Sequence, residues 1–132
     1  MGQFLEEGLQ DALEVYFATP GDFYLGLCGD AVIGKTDSFT DLTEVTGTGY
    51  AKVALTSVVI SLLSDDDRIA TFNEVTFSAS GNWTEAVTWF IVKDGATSGT
   101  YTLVAVNALD DGAVTLVNGE SVSVIPKLSA SS

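Results

Sequence analysis

The sequence contains no histidine, one cysteine and two prolines among its 132 residues. Without histidine, the chain has no imidazole base for a catalytic triad or dyad and no imidazole ligand for a metal ion. Because Cys28 is alone, no disulfide can form within the chain, and its apolar neighbours predict a buried packing thiol. We therefore expect no catalytic residues, no cofactor-binding residues and no metal site.

Basic residues are also scarce. Five Lys and Arg stand against 18 Asp and Glu, which gives a formal net charge of -13. Contacts to nucleic-acid phosphates need clustered basic side chains, whereas those of this sequence are scattered. We therefore predict no nucleic-acid partner and no anionic membrane surface as a partner. A membrane helix needs about 18 consecutive apolar residues, and no apolar stretch of this sequence is nearly that long. The N-terminus lacks the basic start of a secretory signal.

What the chain does have is enough apolar material for a core, with 46% hydrophobic and 17% charged residues. This balance is typical of a folded, soluble domain rather than a disordered chain, and the length suits one domain. We expect a single domain over 1–132, with a helix at 3–17, a β-rich region at 22–127 and a polar tail at 128–132.

The predicted helix carries one apolar stripe at helical spacing. Its acidic and amide residues fill the other face. The stripe either covers a sheet of its own chain or docks onto another subunit, and the sequence leaves both interpretations open. The stripe residues with the strongest claim to a contact surface are Phe4, Leu9, Leu13 and Phe17.

The rest of the chain alternates Val-, Thr- and aromatic-rich runs with Gly, Asp, Asn and Ser turns, which predicts about eight short strands. No alternation of strands and helices is present, so we predict an antiparallel β-sandwich of jelly-roll type. Trp89 and Phe90 should point to opposite faces of one strand. The strands are expected at 22–28, 49–55, 56–63, 69–77, 86–93, 100–108, 113–117 and 121–127.

The longest predicted loop, at 29–48, is rich in small and acidic residues. A loop of this length in a compact domain is often functional or held by a neighbour. Its carboxylates Asp37, Asp41 and Glu44 do not follow the alternating spacing of a calcium loop. We therefore interpret them as candidate contact residues and not as metal ligands.

Four segments in order resemble a known group of proteins. They are FYLGL at 23–27, LTEVTGTGYAKVAL at 42–55, the run from FSASGNW at 77–83 to VTWFI at 87–91, and the closing strand at 116–124. This pattern resembles the small β-rich virion proteins of tailed bacteriophages, which are described as tail-fibre or minor structural proteins. Within it, Gly47 and Gly49 permit a turn, and the Tyr50 ring can anchor the loop to the sheet.

The resemblance implies a virion structural protein and carries over no catalytic residue. Because no coiled coil or repeat is present to build a fibre shaft, we favour a capsid decoration protein that binds the major capsid protein as a homo-oligomer on the capsid exterior. One alternative is a tail-fibre, tail-tip or collar subunit that touches host polysaccharide through Trp83. A second is a small carbohydrate-binding or hydrolytic domain. The predicted interface residues are Phe4, Leu9, Leu13, Phe17, Asp37, Asp41, Glu44, Trp83 and Trp89.

Overall fold

A computed structural model of the protein describes residues 5–64, 67–94 and 100–130. It is mainly β, with 42% strand and 14% helix, and its sheets are antiparallel, which confirms the predicted fold class. Within these described residues, nine strands follow one α-helix, against about eight strands expected. The elements are α1 Glu6–Tyr16, β1 Phe23–Cys28, β2 Val53–Ala54, β3 Val58–Ser64, β4 Asp67–Phe72, β5 Val75–Ser78, β6 Thr88–Asp94, β7 Tyr101–Ala108, β8 Ser121–Val124 and β9 Lys127–Ala130.

The strands form three antiparallel sheets. A four-stranded sheet has the order β2-β1-β6-β7, a three-stranded sheet the order β3-β4-β9, and β5 pairs with β8. One hydrophobic core joins all three, because β1 and β6 contribute side chains to the same cluster as β4, β5 and β8. This shared core makes the fold sandwich-like, with the four-stranded sheet as one layer. The core side chains at its centre include Phe23, Leu25, Leu27, Ala70, Phe72, Phe77, Trp89, Ile91 and Val124.

The helix packs against its own chain. Leu9 is 5% exposed and Phe17, just after α1, is 2% exposed, and the Phe17 ring lies 5.2 Å from that of Phe72. The first of the two interpretations of the apolar stripe is therefore the one that the structure supports. No helix within the described residues is both long enough and apolar enough to cross a membrane.

Several predicted strand boundaries are wrong. The expected strand at 69–77 is two strands, because the Asn73 side-chain oxygen accepts hydrogen bonds from the Thr56 and Ser57 amides at 2.9 and 3.2 Å and interrupts the ladder. Residues 113–117 form only an isolated bridge between Val114 and Ala86.

The C-terminal region also differs from the expectation. The expected strand at 121–127 divides around Pro126, which has no amide hydrogen to donate. The chain leaves the β5–β8 sheet at this point and β9 pairs with β4. Residues 128–130, expected to be part of a tail, belong to β9, and 131–132 lie outside the described residues.

Candidate functional site

Residues 29–52 form a long segment that we call the loop layer. Its first part lies over the outer face of the four-stranded sheet, whereas Val45 and Tyr50 pack with the main core. Beneath the first part lies a small cluster of Cys28, Phe90 and Val92, separate from the main core. Three loop side chains pack on that cluster: Ile33, Phe39 and Leu42. The loop therefore buries apolar surface and closes the second face of a sheet whose first face is the main core.

Carboxylates hold the loop layer in shape by accepting hydrogen bonds from its own backbone. Asp30 accepts from the Thr43 amide at 2.6 Å, and Asp37 accepts from the Gly34 amide at 2.7 Å. Asp41 accepts from the Ser38 amide at 2.8 Å, and together they form a capping box around the short 3-10 turn Phe39–Asp41. The side chains of Asp37 and Asp41 thus fold the loop, and both residues are also exposed. No group of three metal-ligating side chains occurs among the described residues.

Two glycines allow the next part of the loop to approach a neighbouring turn. Gly47 has a φ of +151°, and a side chain there would meet the Asn82 carbonyl oxygen at 2.7 Å and overlap Trp83. Gly49 has a φ of +90°, and a side chain there would lie 2.6 Å from the Ser80 hydroxyl. Both positions require glycine for conformation and for space.

The Tyr50 hydroxyl follows these glycines and takes the place of a strand partner. β2 pairs only with Tyr24 and Leu25 of β1. The backbone amide of Leu27, two residues further along β1, therefore has no acceptor on β2 and needs another one. That amide donates to the Tyr50 hydroxyl at 3.0 Å, and the hydroxyl donates to Glu44 Oε2 at 2.7 Å. Burial, and then the neighbouring Glu44, raise the pKa of Tyr50 well above its usual range.

Lys52 completes the site beside Glu44. Its Nζ lies 3.3 Å from both carboxylate oxygens of Glu44. The same Nζ lies 5.1 Å from the ring centroid of Phe39 and 4.8 Å from that of Tyr101, within the range of a cation–π contact. An open cleft of about 540 Å³ lies over this pair and is also lined by Tyr24. The arrangement fastens the loop layer to β7 and offers no activated nucleophile.

Cys28 lies at the end of β1 and is fully buried. Burial raises the pKa of its thiol to about 11, because a thiolate is poorly solvated in apolar surroundings. The thiol therefore stays protonated near neutral pH, and a protonated, inaccessible thiol is a poor nucleophile. Cys28 acts here as a packing residue.

The predicted interface residues do not form one surface. Leu9, Phe17 and Trp89 lie in the chain's own core, Leu13 packs against it, and Phe4 lies outside the described residues. The prediction for Trp83 needs correction, because Trp83 is 4% exposed and its indole N–H donates to the Thr48 carbonyl at 2.7 Å. A buried ring has no free face on which a sugar could stack. Asp37, Asp41 and Glu44 do share the loop layer.

The site also contains three residues that were not predicted from the sequence: Lys52, Phe39 and Tyr101. Lys52 is the basic residue of the segment at 42–55 that carries the resemblance, and its place in that segment was one available signal. Tyr101 comes from β7, 49 positions beyond Lys52 in the chain, and no local pattern connects the two.

A family of known proteins matches the chain over most of its length. A protein-family profile described as Podophage GP4 fiber I protein gp80 matches residues 1–126. No curated protein and no solved structure shows a significant match to the chain. The matched region runs from the helix through β8, so it includes the loop layer and most of the sandwich. The chain therefore belongs to the podophage GP4 fiber I protein gp80 family, and it is a bacteriophage structural protein located in the tail or fibre of the virion.

Proposed function

We propose that the chain is a structural subunit of a tail fibre, and that it contributes binding surfaces rather than a catalytic step. The observation that carries the proposal is the family match over 1–126, because it spans nearly the whole fold and not a shared fragment. Capsid decoration, which we favoured from the sequence, gains no support from this match and stays a prediction.

The chemistry of the described residues favours a structural role. Among the residues that the structure describes, the two side chains with clearly shifted pKa values are Cys28 and Tyr50, and in both cases burial favours the protonated, uncharged form. Catalytic sites usually shift such groups toward a reactive state near neutral pH. Here the same groups act in packing and in closing a sheet edge.

We further propose that copies of the chain associate through β3. This strand is at one edge of its sheet, and Val58–Ser64 contains no charged residue and no proline. Val59 is 65% exposed and Leu62 is 56% exposed. Natural edge strands usually carry charges or prolines that prevent pairing between chains. Here Gln10 of α1 donates to the Ile60 carbonyl at 3.3 Å, so the helix occupies one acceptor of this edge, and the exposed apolar side chains of β3 suit a subunit that is covered in its assembly.

The position of the protein on purified particles tests this function. We expect cryo-electron microscopy to find the chain in few copies confined to the tail, and quantitative mass spectrometry to give a small ratio to the major capsid protein. Copies distributed over the whole capsid shell would instead support the decoration prediction. Absence from the particle would contradict both.

A pair of variants tests the β3 contact. Val59→Lys places a charge on the exposed face of β3, whereas Val32→Lys places the same charge on a loop residue that is 88% exposed. We expect Val59→Lys to lower the association of purified chains in sedimentation equilibrium and Val32→Lys to leave it unchanged. Equal behaviour of the two variants would count against β3 as the contact.

A further inference from the structure

A groove runs along β8 on the side away from β5. Two adjoining cavities of about 310 and 390 Å³ share Trp89, Asp110, Ser123 and Ile125. Residues 121–125 form one wall of the first cavity and 109–114 form the opposite wall. We call this feature the β8 groove.

The wall formed by β8 is an unused strand edge. The Ala79 amide donates to the Glu120 carbonyl at 2.9 Å, which marks a hydrogen-bonded pair next to the β5–β8 ladder. Hydrogen-bonded and non-hydrogen-bonded pairs alternate in antiparallel sheets. In the register of β5 and β8, Ser121 and Ser123 are then non-hydrogen-bonded positions. Their amides and carbonyls point away from β5 into the groove, where no described residue bonds to them.

Trp89 supplies a second polar group at the floor of the groove. It is 4% exposed and lines both cavities. Within the described residues its indole N–H makes no hydrogen bond, whereas that of the other tryptophan, Trp83, donates to Thr48. The Trp89 Nε1 atom is not among the buried side-chain atoms of the described residues that lack a partner, so this N–H is accessible from the groove and can donate to an acceptor there. A strand that pairs with the open edge of β8 would bring its own backbone carbonyls into the groove, and one of them is a suitable acceptor.

The charges around the groove indicate what kind of strand fits. Glu74, Asp110 and Asp111 line the two cavities, and Lys127 is the basic residue among the lining side chains. A second copy of the chain, with a net charge of -13, would meet repulsion there. A strand with basic side chains would be attracted.

We propose that the β8 groove binds an extended, basic segment of another virion polypeptide, which adds to the β5–β8 sheet as a third strand. Its backbone pairs with Ser121 and Ser123, one carbonyl accepts from the Trp89 indole, and its basic side chains face Asp110 and Asp111. Main-chain pairing of this kind provides affinity, and side-chain contacts provide specificity. The inference rests on the proposed function because the partner is taken to belong to the virion.

Two proline variants test the strand edge. Ser123 and Thr76 are register partners on opposite strands, and their hydroxyls lie 2.8 Å apart. Ser123→Pro removes an amide that points into the groove, and Thr76→Pro removes the matching amide at the far edge of β5. Both leave the hydrogen-bonded pairs of the ladder in place and both lose the same hydroxyl contact. Proline is tolerated at such outward-facing edge positions.

The readout is the amount of each variant per purified particle, after complementation of a phage that lacks the gene. We expect the amount of the Ser123→Pro variant per particle to fall by about tenfold or more, which corresponds to about 1.4 kcal/mol. We expect the amount of the Thr76→Pro variant to match that of the wild type. Amide exchange measured by NMR on the purified variants checks that Val122 and Val124 remain protected in both. Equal incorporation of the two variants, or equal loss, would overturn the proposal.

Two double variants, each of which removes two negative charges, test whether the occupant of the groove is basic. Asp110→Asn with Asp111→Asn removes two charges at the groove, and Glu7→Gln with Asp11→Asn removes two from the exposed face of α1. We expect the groove variant alone to be incorporated less, with a weaker dependence on salt. Self-association of purified chains that Ser123→Pro abolishes would identify a second copy as the occupant and contradict a foreign strand.

The failure of this inference can be told apart from that of the proposed function. The position of the wild-type chain on the particle tests the proposed function. The ratio between the proline variants tests the groove, wherever on the particle the chain is found. Absence of the wild-type chain from particles would contradict both.

Discussion

Gly26 and Phe90 face each other across the β1–β6 ladder, and the absence of a side chain at Gly26 gives the Phe90 ring its place. A Cβ at position 26 would overlap the ring, with two more ring carbons at 2.8 and 2.9 Å. We expect Gly26→Ala to lower the free energy of unfolding by about 1–3 kcal/mol, as overpacking of a core does. Urea denaturation monitored by circular dichroism measures this loss.

Gly21→Ala is the matched control for that variant. The nearest atom to a Cβ at position 21 is the Leu55 carbonyl oxygen at 3.9 Å, an ordinary contact. We expect its free energy of unfolding to stay within about 0.5 kcal/mol of the wild type. If both variants lost the same stability, close packing of Phe90 on Gly26 would not be the cause.

Cys28 and Tyr50 make the folded state sensitive to alkaline pH. Burial raises the pKa of Cys28 from 9.0 to about 11, and the pKa of Tyr50 rises from 10.0. At high pH the unfolded chain therefore loses these protons while the folded chain keeps them. The unfolded state binds fewer protons, so stability is fully present below about pH 9 and falls as the pH rises above it. Urea midpoints measured across this range check the slope.

Tyr50→Phe separates the contribution of tyrosine from that of the thiol. The variant leaves the Leu27 amide without its acceptor, so we expect a loss of about 1–3 kcal/mol near neutral pH. Above pH 10 its stability should fall less steeply than that of the wild type. A slope equal to the wild-type slope would show that ionisation of Tyr50 does not limit alkaline stability.

The roles of residues whose partners are distant in the chain could not be predicted from the sequence. Trp83 follows a Gly-Asn turn, a position typical of exposed residues, and we predicted a contact surface there. The glycines at 47 and 49 allow a segment some 35 positions away to close over the ring. Such a contact depends on how two loops meet, and neither loop alone carries that information.

At the scale of elements, the helix shows what an amphipathic pattern can and cannot predict. The spacing of Leu9, Leu13 and Phe17 predicted a helix with one apolar face, and α1 confirms it. The pattern could not tell which surface the stripe meets, because an apolar stripe buries the same side chains on its own sheet or on another subunit. Ring contacts from Phe17 to Phe23 and Phe72 answer that question within the chain.

Phe17→Ala tests the importance of this packing. The ring lies at 4.9 Å from Phe23 and is 2% exposed, so its removal leaves a cavity between helix and sheets. We expect a loss of about 3–5 kcal/mol in the free energy of unfolding. Val15→Ala, at a helix residue that is 77% exposed, should change stability by about 0.5 kcal/mol or less. Comparable losses in both would contradict a buried role for the stripe.

The number and type of the strands were predicted more accurately than the residues at which the strands begin and end. Alternation and β-branched residues mark strands locally, so β1, β6 and β7 lie close to their expected positions. Asn73 and Pro126 end strands for reasons of hydrogen bonding: one diverts two amides to its side chain, and the other has no amide to donate. The division of β8 and β9 between different sheets depends on the whole topology, which a local pattern does not encode.

At the scale of the whole molecule, we propose that residues 1–132 fold as one domain, as the length and composition predicted. The main core combines side chains of all three sheets with Phe17, so loss of one sheet would expose the others. We expect one cooperative transition in urea, with the tryptophan signal and the far-ultraviolet circular dichroism signal coinciding. Two separate midpoints would show that the sheets unfold independently. Wild-type chain at pH 7 is the sample for this measurement.

The loop layer also constrains how related sequences can diverge. Its residues Ile33, Phe39 and Leu42 fill the outer face of a sheet, whereas Val32, at 88% exposure, touches little of the fold. Drift through generations of phage should therefore leave the three inward positions apolar and let the outward ones change freely. A virus under selection from a changing host would then be able to substitute the outward residues of this surface while the fold beneath it stays the same.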